Sequence, residues 1–238
     1  MGVESSARDG GYRAATRTKF VLMLSATTRP ECPLSSALVA AALLCLNMIP
    51  VVAAASPAAV PRSGDMILPL AQVQSIVVGP TLHANPSEDL TSPRVDHSMD
   101  ATLSAPCRHF VNQDEAFGST WSNFASARYS GSSNIGVRQS VAVYPDADTA
   151  RRTFDALKTA ARQCHAHLSP EVFGAGVTLS EPDPATLLIQ YPDTVNGPGS
   201  VSIDALRGKV LIEVGSGHYS TDPQIAQTVL ALISKKIT

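Results

Sequence analysis

Apolar and polar positions follow two rhythms along the chain. Trp121 to Tyr129 (WSNFASARY) and Gly136 to Tyr144 (GVRQSVAVY) alternate with period two, with Val137, Gln139, Val141 and Val143 set against Arg138, Ser140 and Ala142. Gly131-Ser132-Ser133-Asn134 between them is hairpin material. From Asp146 to Leu168 the rhythm changes: Ala150, Phe154, Leu157, Ala161 and Cys164 recur at steps of four and three, one face of a helix. Asp146 and Asp148 stand where they cap its free N–H groups and favour its dipole. Period two returns in Gly176 to Ser180, Thr186 to Tyr191, Ser200 to Leu206 and Lys209 to Val214. Glu181-Pro182-Asp183-Pro184, Asn196-Gly197-Pro198-Gly199 and the tight Arg207-Gly208 separate these four strands. The chain closes on a helix, Asp222 to Ile237. Asp222 is its N-cap, Pro223 its first residue, and Ile225, Val229, Leu232 and Ile233 its buried face.

Upstream, Leu68 to Val78 (LPLAQVQSIVV) predicts a short helix stopped by Gly79-Pro80. Thr81 to Pro106 is polar and proline-interrupted, an irregular excursion with one short strand near Met99 to Leu103. The order is helix, two strands, helix, four strands, helix. Short turns between successive strands imply antiparallel pairing. The predicted fold is α+β: a single antiparallel sheet of about six strands with helices packed on one face. It occupies residues 67–238, after a disordered Pro/Ala/Ser connector at residues 56–66.

Residues 1–55 set the compartment. Arg8, Arg13, Arg17, Lys19 and Arg29 precede an apolar run from Ala37 to Leu46, and Ala53-Ala54-Ala55 offers a cleavage site before Ser56. The positive region is long, and a start at Met23 gives a leader of ordinary size. A retained anchor at residues 34–55 is the rival reading, weakened by Asn47 and Pro50. Either way the domain is expected outside the cytoplasm, secreted or in the cell envelope, with membrane association only through this segment. Cys45 lies inside the apolar core after Leu43-Leu44, a poor lipidation site.

Composition narrows the function classes. Only 16% of the 238 residues are charged, and from Ser56 onward 13 Lys and Arg face 17 Asp and Glu, a net charge of −4. No basic run interleaves with aromatics, which argues against nucleic acid. With Cys32 and Cys45 in the leader, Cys107 and Cys164 are the two thiols of the exported part. The structural reading is a disulfide, and the other is a redox or metal pair, for which no C-x-x-C is present. His165 and His167 point about 200° apart on a helix and do not readily share a metal. His109 and His218 have no carboxylate partner evident in sequence. No G-x-S-x-G, S-x-x-K set or H-E-x-x-H occurs, and Asp114-Glu115 and Asp146/Asp148 are explained by capping or solvation. The chain therefore reads as a non-enzyme with no cofactor and no metal. Trp121, Tyr129, Arg138, Gln190 and Tyr191 are the strand residues able to contact a ligand. Arg138 leads them, because it lies opposite Val137, Val141 and Val143 and suits an anionic or polar group.

The element order also resembles a known family, the PknH-like extracellular sensor domain of mycobacterial secreted proteins and lipoproteins. The resemblance runs from about Leu68 to the C-terminus. It is carried by Pro106-Cys107, by V-R-Q-S-V-A-V-Y-P-D-A-D-T-A at Val137 to Ala150, by the helix ending on Cys164, and by Ala205-Leu206 through Val214 into Ala226 to Ile237. Two features depart from the pattern. Ala161 stands where the family helix often has Trp, and no cysteine between Ser200 and Gly217 is available for a second bridge. The resemblance implies an α+β sensor domain with a groove for an unidentified envelope ligand or protein. The kinase part is missing here, so transmembrane signalling does not carry over. A hydrolase of envelope substrates and a structural adaptor are the alternatives from other classes.

Overall fold

In the computed structural model the described residues are 62–132, 135–166, 176–193 and 197–237, all within the unit Ala55–Thr238. Residues 1–61, which include the expected leader and most of the expected connector, lie outside them, as do His167 and Leu168.

Seven strands form one antiparallel sheet in the order β1-β2-β3-β7-β6-β5-β4. They are β1 (His83–Ala84), β2 (Asn123–Ser130), β3 (Gly136–Val143), β4 (Thr178–Asp183), β5 (Thr186–Tyr191), β6 (Ser200–Arg207) and β7 (Val210–Gly217). The six expected strands are present, and β1 adds a short edge beside β2. No strand forms at Met99–Leu103, where the chain makes consecutive turns. β4 extends through Pro182, tolerable because β4 is the outer edge of the sheet. The last hairpin turns at Gly208-Lys209, one residue later than expected, with Gly208 at φ 58°.

Among the described residues the helices are α1 (Ser63–Met66), α2 (Leu70–Ile76), α3 (Ala105–Val111), α4 (Gln113–Phe117), α5 (Ala147–Ala166) and α6 (Gln224–Ser234). α1 falls in the stretch expected to be a loose connector, and its Ser63 and Met66 are buried. The Thr149 amide donates to Asp146 Oδ1 at 2.7 Å at the start of α5, as an N-cap does. α5 makes the crossover from β3 to the far edge. The β4-β5-β6-β7 meander then returns to pair β7 with β3 over eight residues, from Gly136↔Gly217 to Val143↔Val210.

The expectation of helices on one face is corrected: they cover both. Val137, Val141 and Val143 of β3, with Ile203 of β6 and Ile212 and Val214 of β7, pack under α1, α2 and α6. The opposite side chains Phe124, Ala142, Leu187, Ile189 and Leu211 pack under α4 and α5 through Phe117, Phe154, Leu157 and Ala161. β3 is buried on both sides from Gln139 to Val143, so its apolar residues form a near-continuous run at that end.

Cys107 of α3 and Cys164 of α5 are joined, S–S 2.11 Å and Cα–Cα 4.6 Å apart. The bridge lies under Leu103 and Phe110 and fixes α3 along α5. With its ends 57 positions apart in sequence, the chain-entropy model credits it with about 4 kcal/mol. It also sets where α3 and α4 stand over the sheet.

Candidate functional site

Strand register lays out the α5-side face as a grid. One row across it runs Arg128 (β2), Arg138 (β3), Gly215 (β7), Ser202 (β6) and Ile189 (β5), each directly opposite the next. The row nearer α4 runs Ser126, Ser140, Glu213, Asp204 and Leu187. One step the other way Gly136 pairs with Gly217, and Ser200 with Tyr191. α4 and α5 cover only the apolar end of this face. The polar rows are left open and floor a cavity of about 460 Å³. Phe110 and Val111 of α3, Gln113 and Phe117 of α4, and Arg94, Asp96 and Met99 of the excursion wall it.

Gly215 and Gly217 make the floor low. A Cβ at Gly215 would meet nothing nearer than the Val201 carbonyl at 3.9 Å, and one at Gly217 nothing nearer than the Gly136 carbonyl at 4.0 Å. The space above them is the groove itself, and a ligand there reaches the backbone.

The charges are coupled across strands. Arg138 Nη2 donates to Glu213 Oε1 at 2.5 Å, and the Arg138 side chain remains 45% exposed. The Glu213 charge first, against the opposing effect of burial, raises the Arg138 pKa. Gln113 Nε2 donates to Glu213 Oε2 and to Ser140 Oγ, both at 2.9 Å, while its Oε1 accepts from the Arg94 amide at 2.8 Å. One glutamine thus joins α4, the sheet and the excursion. Beside Glu213, burial pushes the Asp204 carboxyl well up; the Glu213 charge adds to this and Arg138 opposes it. Burial likewise pushes the Tyr191 hydroxyl up to about 12.

Of the five strand residues expected to meet a ligand, Arg138 and Tyr191 line this groove. The other three are placed elsewhere. Tyr129 lies on the opposite face, buried, its hydroxyl donating to the Leu68 carbonyl at 2.8 Å. Gln190 alternates with Tyr191 and so faces away, its amide donating to the Thr221 carbonyl at 2.8 Å. Trp121 precedes β2 and packs its ring against Phe124, centroids 6.0 Å apart, with Nε1 donating to the Gly118 carbonyl at 3.0 Å. Arg128, Asp204, Glu213 and the two glycines were not singled out in sequence. Their signal was present in parity: Ser200, Ser202 and Asp204 are the polar half of an alternating strand whose other half is Val201, Ile203 and Ala205.

At the rim, His97, Asp100 and Glu115 bring a ring nitrogen and two carboxylate oxygens within 4.8 Å of one another. A cation is not what that centre suits. Asn112 Nδ2 occupies it, donating to Asp100 Oδ1 at 2.8 Å and Glu115 Oε1 at 3.2 Å and lying 3.0 Å from His97 Nδ1. The cluster ties the excursion to α4. His218 follows β7 with φ 52° and lines the groove, its amide donating to Ser200 Oγ at 2.9 Å. His109 is on α3, and His165 Nε2 lies 3.0 Å from the Val177 carbonyl.

The PknH-like extracellular domain family model matches residues 58–236. The chain belongs to that family. No curated protein matches it. Its fold is similar to the crystal structure of the extracellular domain of PknH from Mycobacterium tuberculosis, with a TM-score of 0.55 and 15% identity over 74% of this chain and 95% of that one. At that identity the likeness concerns the fold alone. Among the described residues no helix is long and apolar enough to cross a membrane.

Proposed function

We propose that this PknH-like domain is a non-catalytic extracellular sensor module whose groove on the α5 side of the sheet binds an envelope ligand through Arg138. The observation that carries the reading is the contrast in cover. The sheet's polar rows stay open where the rest of its area is packed, and a buried carboxyl, an Arg–Glu pair and glycines converge there. Family membership supports the sensor role. The leader supports export.

A hydrolase reading draws on one specific feature, a carboxyl whose ionisation burial pushes up, in register with a second carboxylate inside a cleft. It is the weaker reading. Glu213 has one oxygen on Arg138 and the other on Gln113, so neither is free to attack or to activate water.

Thermal melting of the purified chain against a panel of envelope glycans and lipids tests the proposal. Stabilisation by at least one compound, lost in Arg138→Gln, is the expected result. No shift across the panel, with no partner captured by crosslinking, contradicts it. Turnover of aryl glycosides or esters, abolished in Asp204→Asn, would favour the hydrolase.

A further inference from the structure

Among the described residues, two groups of the open rows have no side-chain hydrogen bond or ion pair. Asp204 is only 6% exposed and lines the groove. Its oxygens are not among the fully enclosed unpartnered atoms, which are Asp114 Oδ1 and Ser234 Oγ, so the carboxyl reaches solvent through the cavity and is available to a ligand. Glu213, opposite Asp204 in register, has both oxygens engaged, and Arg138 is the other charged group that acts on Asp204. Burial pushes the Asp204 ionisation up and so favours the protonated carboxyl, which offers an O–H donor as well as an acceptor. The second group is Arg128. It stands directly opposite Arg138, like charges that repel across a strand pair, and Glu213 answers only Arg138. No carboxylate among the described residues pairs with Arg128.

Between these two groups lie Gly215 and Ser202, on the same row as the arginines. The groove therefore offers a site for a planar anion at one side, a neutral donor–acceptor at the other, and backbone and hydroxyls between. We propose that the groove binds a small hydroxylated carboxylate of the acidic-saccharide type, its carboxylate on Arg128 and Arg138 and its hydroxyls reaching Ser202 and the Asp204 carboxyl. This rests on the groove being the ligand site. Guanidinium forks match a carboxylate bidentately. The cavity's size falls in the range of small-molecule sites, about 300–1,000 Å³. A ligand bearing only an ammonium group is disfavoured by the two arginines.

Titration calorimetry of the full chain with glucuronate, glucose and inorganic phosphate tests the assignment. Glucuronate binds, and glucose and phosphate each bind at least about tenfold more weakly, since each lacks one half of the match. Arg128→Gln weakens glucuronate about tenfold or more. Asp204→Asn, which keeps a donor and an acceptor, stays within about threefold of wild type, whereas Asp204→Leu loses at least about tenfold. Equal binding of glucose and glucuronate, no glucuronate binding, or an Asp204→Asn loss as large as that of Asp204→Leu overturns the assignment. Gly215→Leu, which fills the groove, separates the two levels of the reading. A panel compound that binds wild type but not Gly215→Leu, while glucuronate does not bind, removes the ligand class and leaves the groove standing. A compound that binds both proteins equally removes the groove as well.

Discussion

The two faces of the sheet are built from the same strands and end differently. On the α2/α6 side most inward residues are apolar and covered, and the fully buried amide there is satisfied: Gln139 accepts from the Leu68 amide at 2.9 Å and donates to the Leu68 carbonyl at 3.0 Å. On the α5 side the helices cover the apolar end and stop, and beyond Ser140 and Glu213 the positions turn to Arg, Gly and Ser. One face completes the core; the other leaves polar groups open in a groove. If the groove binds the proposed ligand, stability and recognition are separable in this domain.

The sharpest test of that separation is the apolar end of the α5 side. Phe154 is 1% exposed among Phe124, Leu157 and Leu211, and Phe154→Ala lowers unfolding stability by about 3–5 kcal/mol in a urea titration. A near-neutral result would mean that α5 does not clamp the sheet.

Next comes Asp204. Its folded pKa lies above its unfolded value, so its contribution to stability is intact below the unfolded pKa and is lost as pH rises toward the folded one. Asp204→Asn removes that loss. It melts close to wild type near pH 4 and gains on it as pH rises, by up to about 1.4 kcal/mol per pH unit within that window. A gain that is flat with pH would show that Asp204 is not held protonated. A still smaller effect is expected at the floor: Gly215→Ala changes stability by less than about 1 kcal/mol while weakening any groove ligand, because the added methyl projects into the cavity.

The rim gives the least. Burial lowers the His97 pKa, but the Asp114 and Asp100 carboxylates raise it on balance. Its tie to them is full below its unfolded pKa and weakens as pH rises through the higher folded one. His97→Gln should therefore lower the melting temperature slightly at pH 5.5 and not at pH 8.5. Loss at both values would make the tie independent of charge.

How much of this was legible in the sequence depends on element length. α5 and the strands announced themselves through repeated periods, and the parity of β3 set Arg138 opposite Val137, Val141 and Val143. α3 and α4, with seven and five residues, are too short to show a period, so the sequence assigns the groove's helical wall no element. The two-sided cover was hinted at by Ala142 and Tyr144, apolar residues of opposite parity to Val141 and Val143. The missed groove residues fail for another reason. Asp204 and Glu213 are 66 or more residues from Arg128 and Arg138, and only the crossover through α5, which returns β7 to β3, makes them neighbours.

The most direct measurement is amide chemical-shift mapping of the labelled protein with whichever panel compound stabilises it. The account predicts perturbations at Arg128, Arg138, Tyr191, Ser202, Asp204, Gly215 and Gly217, with α2 and α6 silent. Perturbations centred on α2 and α6, with those groove residues unmoved, would contradict it.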